Sequence, residues 1–234
     1  MKAMVFAAGL GTRLRPLTND RPKALVEVGG KTMLERVITH LADCGVTDIT
    51  VNIHHFGEKI IEFLEEKKNF GLDIHISDER DLLLDTGGGL MKARKFLDGD
   101  EPFIVHNADI LTDLDLKAMY DFHVEHDALS TILVKDRQTQ RYFLFDHDHR
   151  LKGWINKKTG ETKPEGYQYD PQKVDSLAFG CLHAFSTLLK SIQKLKAKCS
   201  PSPLSMQKCV IRIKSTVISS SPTINGLMWV NQKH

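Results

Sequence analysis

The chain has 234 residues, 41% of them hydrophobic, with 32 Lys and Arg against 30 Asp and Glu and a formal net charge of +2 at pH 7. That length and apolar fraction suffice for one sizeable α/β domain or two small ones, and exclude disorder across the whole. The near-balanced charge excludes a basic surface built to neutralise nucleic-acid phosphates, and points to small substrates. Cys44, Cys181, Cys199 and Cys209 lie far apart without a C-x-x-C pair. This argues against zinc, a redox pair or a secreted disulfide framework, and fits a reducing cytoplasm.

The apolar run from Ala3 to Ala8 is too short for a signal-peptide core and ends in Gly9 and Gly11. No later stretch could span a bilayer, so the run reads as a buried first strand and no membrane partner is expected. Met33, Leu34, Val37, Ile38 and Leu41 recur at helical spacing after Thr32, a possible N-cap, and Gly45 stands where that helix would end. Ile49 to Ile53 reads as a buried strand, Glu58 to Glu66 as a helix with Ile60, Ile61 and Leu64 inward, and Leu72 to Ile76 as the next strand. The alternation continues with a helix after Gly87-Gly88-Gly89, a strand at Phe103 to Val105, a helix from Leu114 to about Glu125, and a strand at Leu129 to Val134. Such βα alternation implies an α/β fold with a mostly parallel sheet and helices on both faces. From Tyr142 to Trp154 the pattern turns to short β runs around Asp146 to His149, a hairpin that extends the sheet.

Between the first strand and the first long helix stands Ala7-Ala8-Gly9-Leu10-Gly11-Thr12-Arg13-Leu14-Arg15-Pro16-Leu17-Thr18, then Arg21-Pro22-Lys23-Ala24-Leu25. Glycines let backbone N–H groups approach an anion, and the basic residues add opposite charge. A Walker loop would need Gly-Lys-Ser/Thr, and a dinucleotide fingerprint would need glycine where Leu14 stands, so both fall. The whole signature, with its following Pro-Lys, resembles the sugar-1-phosphate nucleotidyltransferase family over roughly Met1 to Ser186. The resemblance implies a Rossmann-like three-layer nucleotide-binding fold and an enzyme that joins a nucleoside triphosphate to a sugar 1-phosphate. It implies that Ala8, Gly9, Gly11 and Thr12 wrap the triphosphate, that Arg13 steadies the departing pyrophosphate, and that Lys23 contacts the reacting phosphates.

Two further segments carry the resemblance. In Asp85-Thr86-Gly87-Gly88-Gly89, relatives place a glycine-rich turn against the nucleobase, which assigns Gly87 and Gly88 to base binding. This segment is most similar to N-acetylmuramate-1-phosphate uridylyltransferases and favours UTP. Phe103-Ile104-Val105-His106-Asn107-Ala108-Asp109 is an apolar strand ending in a carboxylate where ligands gather in open α/β sheets. The resemblance makes Asp109 the Mg²⁺ ligand and Asn107 a nucleotide contact, with Ala108 in place of the usual glycine. Further on, Lys157 and Gly180 fall on the sugar-phosphate side. Around Lys157, Asn156 and Lys158 replace the acid and the proline of the relatives' E-K-P type segment, which leaves the choice of sugar open.

Ser176 to His234 contains no carboxylate, whereas the family ends its catalytic domain with an Asp-Val-Gly segment that supplies a second metal ligand. Leu227-Met228-Trp229-Val230-Asn231-Gln232-Lys233-His234, read from the third base of the leucine codon, can encode D-V-G-K-P-E-T. In the same shifted frame Cys199-Ser200-Pro201-Ser202 can encode F-S-I-T, similar to a segment upstream of that Asp in relatives. A frameshift between about Ser186 and Cys199 is therefore expected, dividing the chain into a catalytic domain, 1–186, and an atypical basic tail, 187–234, that packs poorly. Three alternatives stand beside a uridylyltransferase: guanylyl or thymidylyl transfer to another sugar phosphate, a non-catalytic nucleotide-binding or regulatory module, and a basic tail that binds an anionic partner.

Overall fold

The computed structural model describes residues 1–125, 130–135, 138–147 and 151–185, and the backbone of 216–217 and 227–232; for 135 and 177–185 the description is also of the backbone. The chain forms two compact units, Met1–Lys117 and Ala118–His234. The domain boundary expected at 186/187, and most of the tail beyond it, lie outside the described residues.

The first unit is built on four parallel strands, β1 (Lys2–Phe6), β4 (Asp48–Ile53), β5 (Asp73–Asp78) and β6 (Phe103–Asn107), in the order β6-β1-β4-β5. Two short strands, β2 (Glu27–Val28) and β3 (Lys31–Thr32), form a separate hairpin. After it comes α1 (Met33–Asp43), whose Met33, Leu34, Val37, Ile38 and Leu41 are all buried, as their spacing requires. The Thr32 hydroxyl accepts the Glu35 N–H at 3.1 Å and caps the first turn. At the other end Gly45 takes φ 87°, a left-handed conformation that glycine adopts without strain. The second helix, α2 (Gly57–Glu66), turns Ile60 and Leu64 inward.

Helix α3 differs from its expectation. It spans Asp85–Leu97, so the three glycines lie inside its first turns rather than in a turn before it. Packing explains two of them: a Cβ on Gly88 would lie 2.8 Å from Leu84 Cβ, and one on Gly89 would lie 2.8 Å from Glu79 Oε1, whereas Gly87 has open space around it. The chain runs from β1 to β4 and β5 on one side, then returns to β6 on the other side of β1. Right-handed crossovers then place α1 and α2 on one face of the sheet and α3 on the opposite face. The order reverses between β1 and β6, and a crevice opens beyond the carboxyl ends of such strands.

Helix α4 (Leu116–Glu125) leads into the second unit. There β7 (Ser130–Lys135), β8 (Arg141–Asp146), β9 (Leu151–Asn156), β10 (Thr162–Lys163) and β11 (Val174–Phe185) pair antiparallel, in contrast to the parallel first unit. Alternation along β8 is visible in its packing. Tyr142 and Leu144 pack with Ile155, while Phe145 packs with Ile132 and Val134. The β8–β9 hairpin is where the sequence places it, although residues 148–150 lie outside the described ones. Within the tail, β12 (Thr216–Val217) and β13 (Leu227–Gln232) pair with each other, and β13 also pairs with β7. Among the described residues no helix is long and apolar enough to cross a membrane.

Candidate active site

A cavity of about 460 Å³ opens at the carboxyl ends of β1 and β6, the position the strand order predicts. Its walls include Ala8, Gly9, Gly11, Thr12 and Arg13 after β1, Lys23 from the next turn, and Asn107 and Asp109 after β6. Ten residues expected to bind nucleotide or metal were drawn from three separated segments, and eight of them line this one cavity. Gly87 and Gly88 do not; the α3 segment reaches the cavity through Asp85 and Thr86 instead. The helix thus presents its N-terminal end, where unpaired N–H groups favour an anion.

The loop after β1 holds its shape through local bonds. Gly11 has φ 65°, and its carbonyl accepts both the Leu14 N–H at 2.9 Å and the Thr18 hydroxyl at 2.8 Å. A Cβ on Gly11 would meet Thr18 Cγ2 at 3.0 Å, so backbone angle and space both demand glycine. Around Gly9 nothing lies within 4 Å of an added Cβ, which leaves the loop open to a ligand. Thr12 and Arg13 are exposed in a short 3₁₀ turn, Thr12–Leu14.

Two residues that the sequence reading missed anchor the start of this loop. Asn52, at the end of β4, accepts the Ala7 N–H at 2.8 Å and the Ala8 N–H at 3.3 Å through Oδ1. Its amide donates to Glu79 Oε1 at 2.8 Å, and Glu79 Oε2 accepts the Leu84 N–H at 3.2 Å. Glu79 is fully buried, so this network ties the glycine loop to the segment leading into α3 through a group that is expensive to leave unpaired. The one available signal was an amide side chain, Asn52, between the apolar Val51 and Ile53 at the end of a strand read as buried.

Lys23 and Asp109 form an ion pair at the cavity, each about one-third exposed. The ammonium stands where a cation bound by Asp109 would place its charge. A carboxylate oxygen suits Mg²⁺, which takes one or two carboxylates, substrate phosphates and water, and one strand-end aspartate at a cavity with room for a nucleotide fits that pattern. Asp48, Asp73 and His75 also have ligand atoms within 4.8 Å of one another. Asp48 and Asp73 begin β4 and β5, at the edge of the sheet opposite the cavity, so that group is not placed to meet the same phosphates.

In the second unit, Lys157 places its ammonium 4.2 Å from the centre of the Tyr142 ring. Gly180 lies in β11 at the register shift between Phe179 and His183, where a bulge interrupts the pairing with β7.

The cavity gathers backbone donors, two basic side chains and a carboxylate from separate segments, an arrangement able to hold a phosphate-bearing ligand. The profile of the nucleotidyl transferase family matches residues 2–159, and the chain belongs to that family, among its sugar-1-phosphate nucleotidyltransferases. It is 49% identical over 109 residues, 46% of this chain and 45% of the relative, to an N-acetylmuramate alpha-1-phosphate uridylyltransferase of Caulobacter vibrioides. It is 36% identical over 160 residues, 67% of this chain and 44% of the relative, to a mannose-1-phosphate guanyltransferase of Candida albicans. The chain therefore spans a little under half the length of these two relatives. The crystal structure of HddC from Yersinia pseudotuberculosis complexed with GMP-PN is similar in fold, with a TM-score of 0.63 at 24% identity, covering 86% of this chain and 80% of that one.

Proposed function

We propose that this chain couples a nucleoside triphosphate, with UTP favoured, to a sugar 1-phosphate, with N-acetylmuramate 1-phosphate favoured, and releases pyrophosphate in the cytoplasm. The observation that carries this reading is the convergence of the glycine loop, Arg13, and the Lys23–Asp109 pair on one cavity at the strand-order switch. The identity to the Caulobacter relative favours the uridylyl reading. The identity to the Candida relative supports guanylyl transfer to mannose 1-phosphate as the second reading.

The nucleophile is an oxygen of the sugar's own phosphate, whose second pKa lies near ~6, so no protein base is needed at neutral pH. Its bond to the α-phosphorus forms in line as the bond to the bridging oxygen of pyrophosphate breaks, and the electron pair leaves with pyrophosphate. Backbone N–H groups of Gly9 to Thr12 receive the triphosphate beside Ala8, whose own N–H is held by Asn52, and Arg13 meets the charge that grows on the leaving group. Lys23 exchanges its carboxylate partner for phosphate oxygens. Asp109 would hold Mg²⁺, which would supply positive charge to offset that of the phosphates. The nucleobase lies toward the start of α3, where Asp85 and Thr86 line the cavity next to Gly87 and Gly88, and Lys157 and Gly180 serve the sugar phosphate. This catalytic domain occupies 1–186, and 187–234 is a frameshifted tail, which sequencing the gene from codon 186 onward tests directly.

Asp109→Ala is expected to lower pyrophosphate release at least ~100-fold, the scale of losing a key electrostatic stabiliser, with an unchanged circular dichroism spectrum. Turnover near that of the parent in this variant would remove Asp109 from the site.

A further inference from the structure

We propose that His106 is a positioning residue that sets the angle at which Asp109 is presented; this rests on the role given to Asp109 above. Along β6, Phe103, Ile104 and Val105 are buried, and the next place, 1% exposed, holds an imidazole where the apolar pattern calls for another hydrocarbon. An unpaired polar ring there would be costly. The ring is not wasted: its Nδ1 lies 2.8 Å from the carbonyl oxygen of Asn107, and because a carbonyl only accepts, Nδ1 carries the hydrogen.

That carbonyl governs the turn leading to Asp109. It accepts a second hydrogen bond from the Ile110 N–H at 3.3 Å, which closes the turn from Asn107 to Ile110 around Asp109. The other side of the same peptide unit is also held, since the Ala108 N–H donates to the Phe6 carbonyl at 3.0 Å. The peptide between Asn107 and Ala108 is thus fixed at both its oxygen and its hydrogen, one residue before the carboxylate. Successive strand residues face opposite sides, so His106 does this from behind the sheet while Asn107 lines the nucleotide cavity. Burial also pushes the imidazolium down to about 4, which keeps the ring neutral with its single N–H committed to the carbonyl. Small displacements of a reacting group have large consequences, which gives a group that touches no substrate a share in turnover.

The test is Mn²⁺ binding in the presence of UTP, followed by electron paramagnetic resonance on the full chain and on His106→Leu, His106→Asn and Asp109→Ala. An asparagine amide nitrogen sits close to the Nδ1 position and can keep the bond, whereas leucine fills the space without it. His106→Leu is expected to weaken Mn²⁺ binding about tenfold, the usual scale for removing a group that orients a metal ligand, and His106→Asn to restore it to within about twofold. In turnover, His106→Leu should lower kcat while leaving the KM for UTP within about twofold. If His106→Leu does not fold, His106→Gln takes its place, since its amide reaches the Nε2 position instead, and the same loss is expected. Loss of Mn²⁺ in Asp109→Ala but parent-like binding in His106→Leu would overturn the positioning role alone, as would an equal loss in the Asn and Leu variants. Parent-like binding in both Asp109→Ala and His106→Leu would overturn the metal role of Asp109 and the inference built on it.

Discussion

The two units of this chain use β-strands in opposite ways. In the first, four parallel strands end at one edge, and three segments far apart in the sequence deliver their polar residues to one cavity. In the second, antiparallel strands pack two apolar faces, Tyr142 with Leu144 and Ile155, and Phe145 with Ile132 and Val134. The parallel arrangement gathers chemistry because every strand-to-helix turn points the same way, and the reversal of strand order opens a crevice there. An antiparallel meander sends successive turns to alternate edges and offers a platform instead.

That contrast predicts where substitutions hurt catalysis. Lys23→Ala should have the largest effect, lowering turnover ~100- to 1000-fold in a pyrophosphate-release assay while the unfolding midpoint changes little. A loss below tenfold would break the claim that the first unit holds the reacting phosphates.

The first unit should also carry a distinct acid sensitivity. The pKa of His106 falls from its ordinary 6.5 to about 4 in the fold, so below pH 6.5 the unfolded chain takes a proton that the folded ring refuses. Stability from this group is full above pH 6.5 and declines as pH falls towards 4, by up to ~3 kcal/mol. Urea unfolding of the parent and His106→Asn across this range should diverge as acid is added and run parallel above pH 6.5. Parallel curves throughout would contradict the assignment.

Gly89→Ala sharpens the comparison at the join between α3 and the glycine loop. Its Cβ would meet Glu79 Oε1 at 2.8 Å, so a stability loss of roughly 1–3 kcal/mol and weaker nucleotide binding are expected together. Nucleotide binding unchanged at that stability cost would separate the Glu79–Asn52 network from the site. Lys157→Ala should have the smallest effect, raising the KM for the sugar phosphate a few-fold and leaving that for the nucleotide unchanged, an interaction worth about 1 kcal/mol. A matching change in nucleotide KM would blur the division between the units.

Much of the first unit was legible in the sequence. Helix α1 followed from five apolar residues at helical spacing, and Thr32 and Gly45 marked its ends, because capping and periodicity are local properties. The glycine loop and Asp109 were readable as motifs, and the structure brings them to one cavity. The start of α3 was not readable. Three consecutive glycines have poor helix propensity and look like a turn, yet close approach to Leu84 and Glu79 accounts for Gly88 and Gly89 within the helix. Nor were Asn52, Glu79 and His106, whose importance lies in hydrogen bonds to Ala7, Leu84 and Asn107 that sequence spacing does not encode. In the second unit the hairpin was legible from its alternation, but the register shift around Gly180 belongs to the pairing of β11 with β7, a long-range property that alternation does not encode.

The most direct test of the account is ³¹P nuclear magnetic resonance of the chain with Mg²⁺, UTP and N-acetylmuramate 1-phosphate, repeated with GTP and mannose 1-phosphate. Free pyrophosphate and a sugar-linked diphosphate should appear in equal amounts, faster with the first pair. Slow loss of a single phosphate from the triphosphate, or binding of UTP with no pyrophosphate from either pair, would contradict nucleotidyl transfer and leave a module that only holds nucleotide.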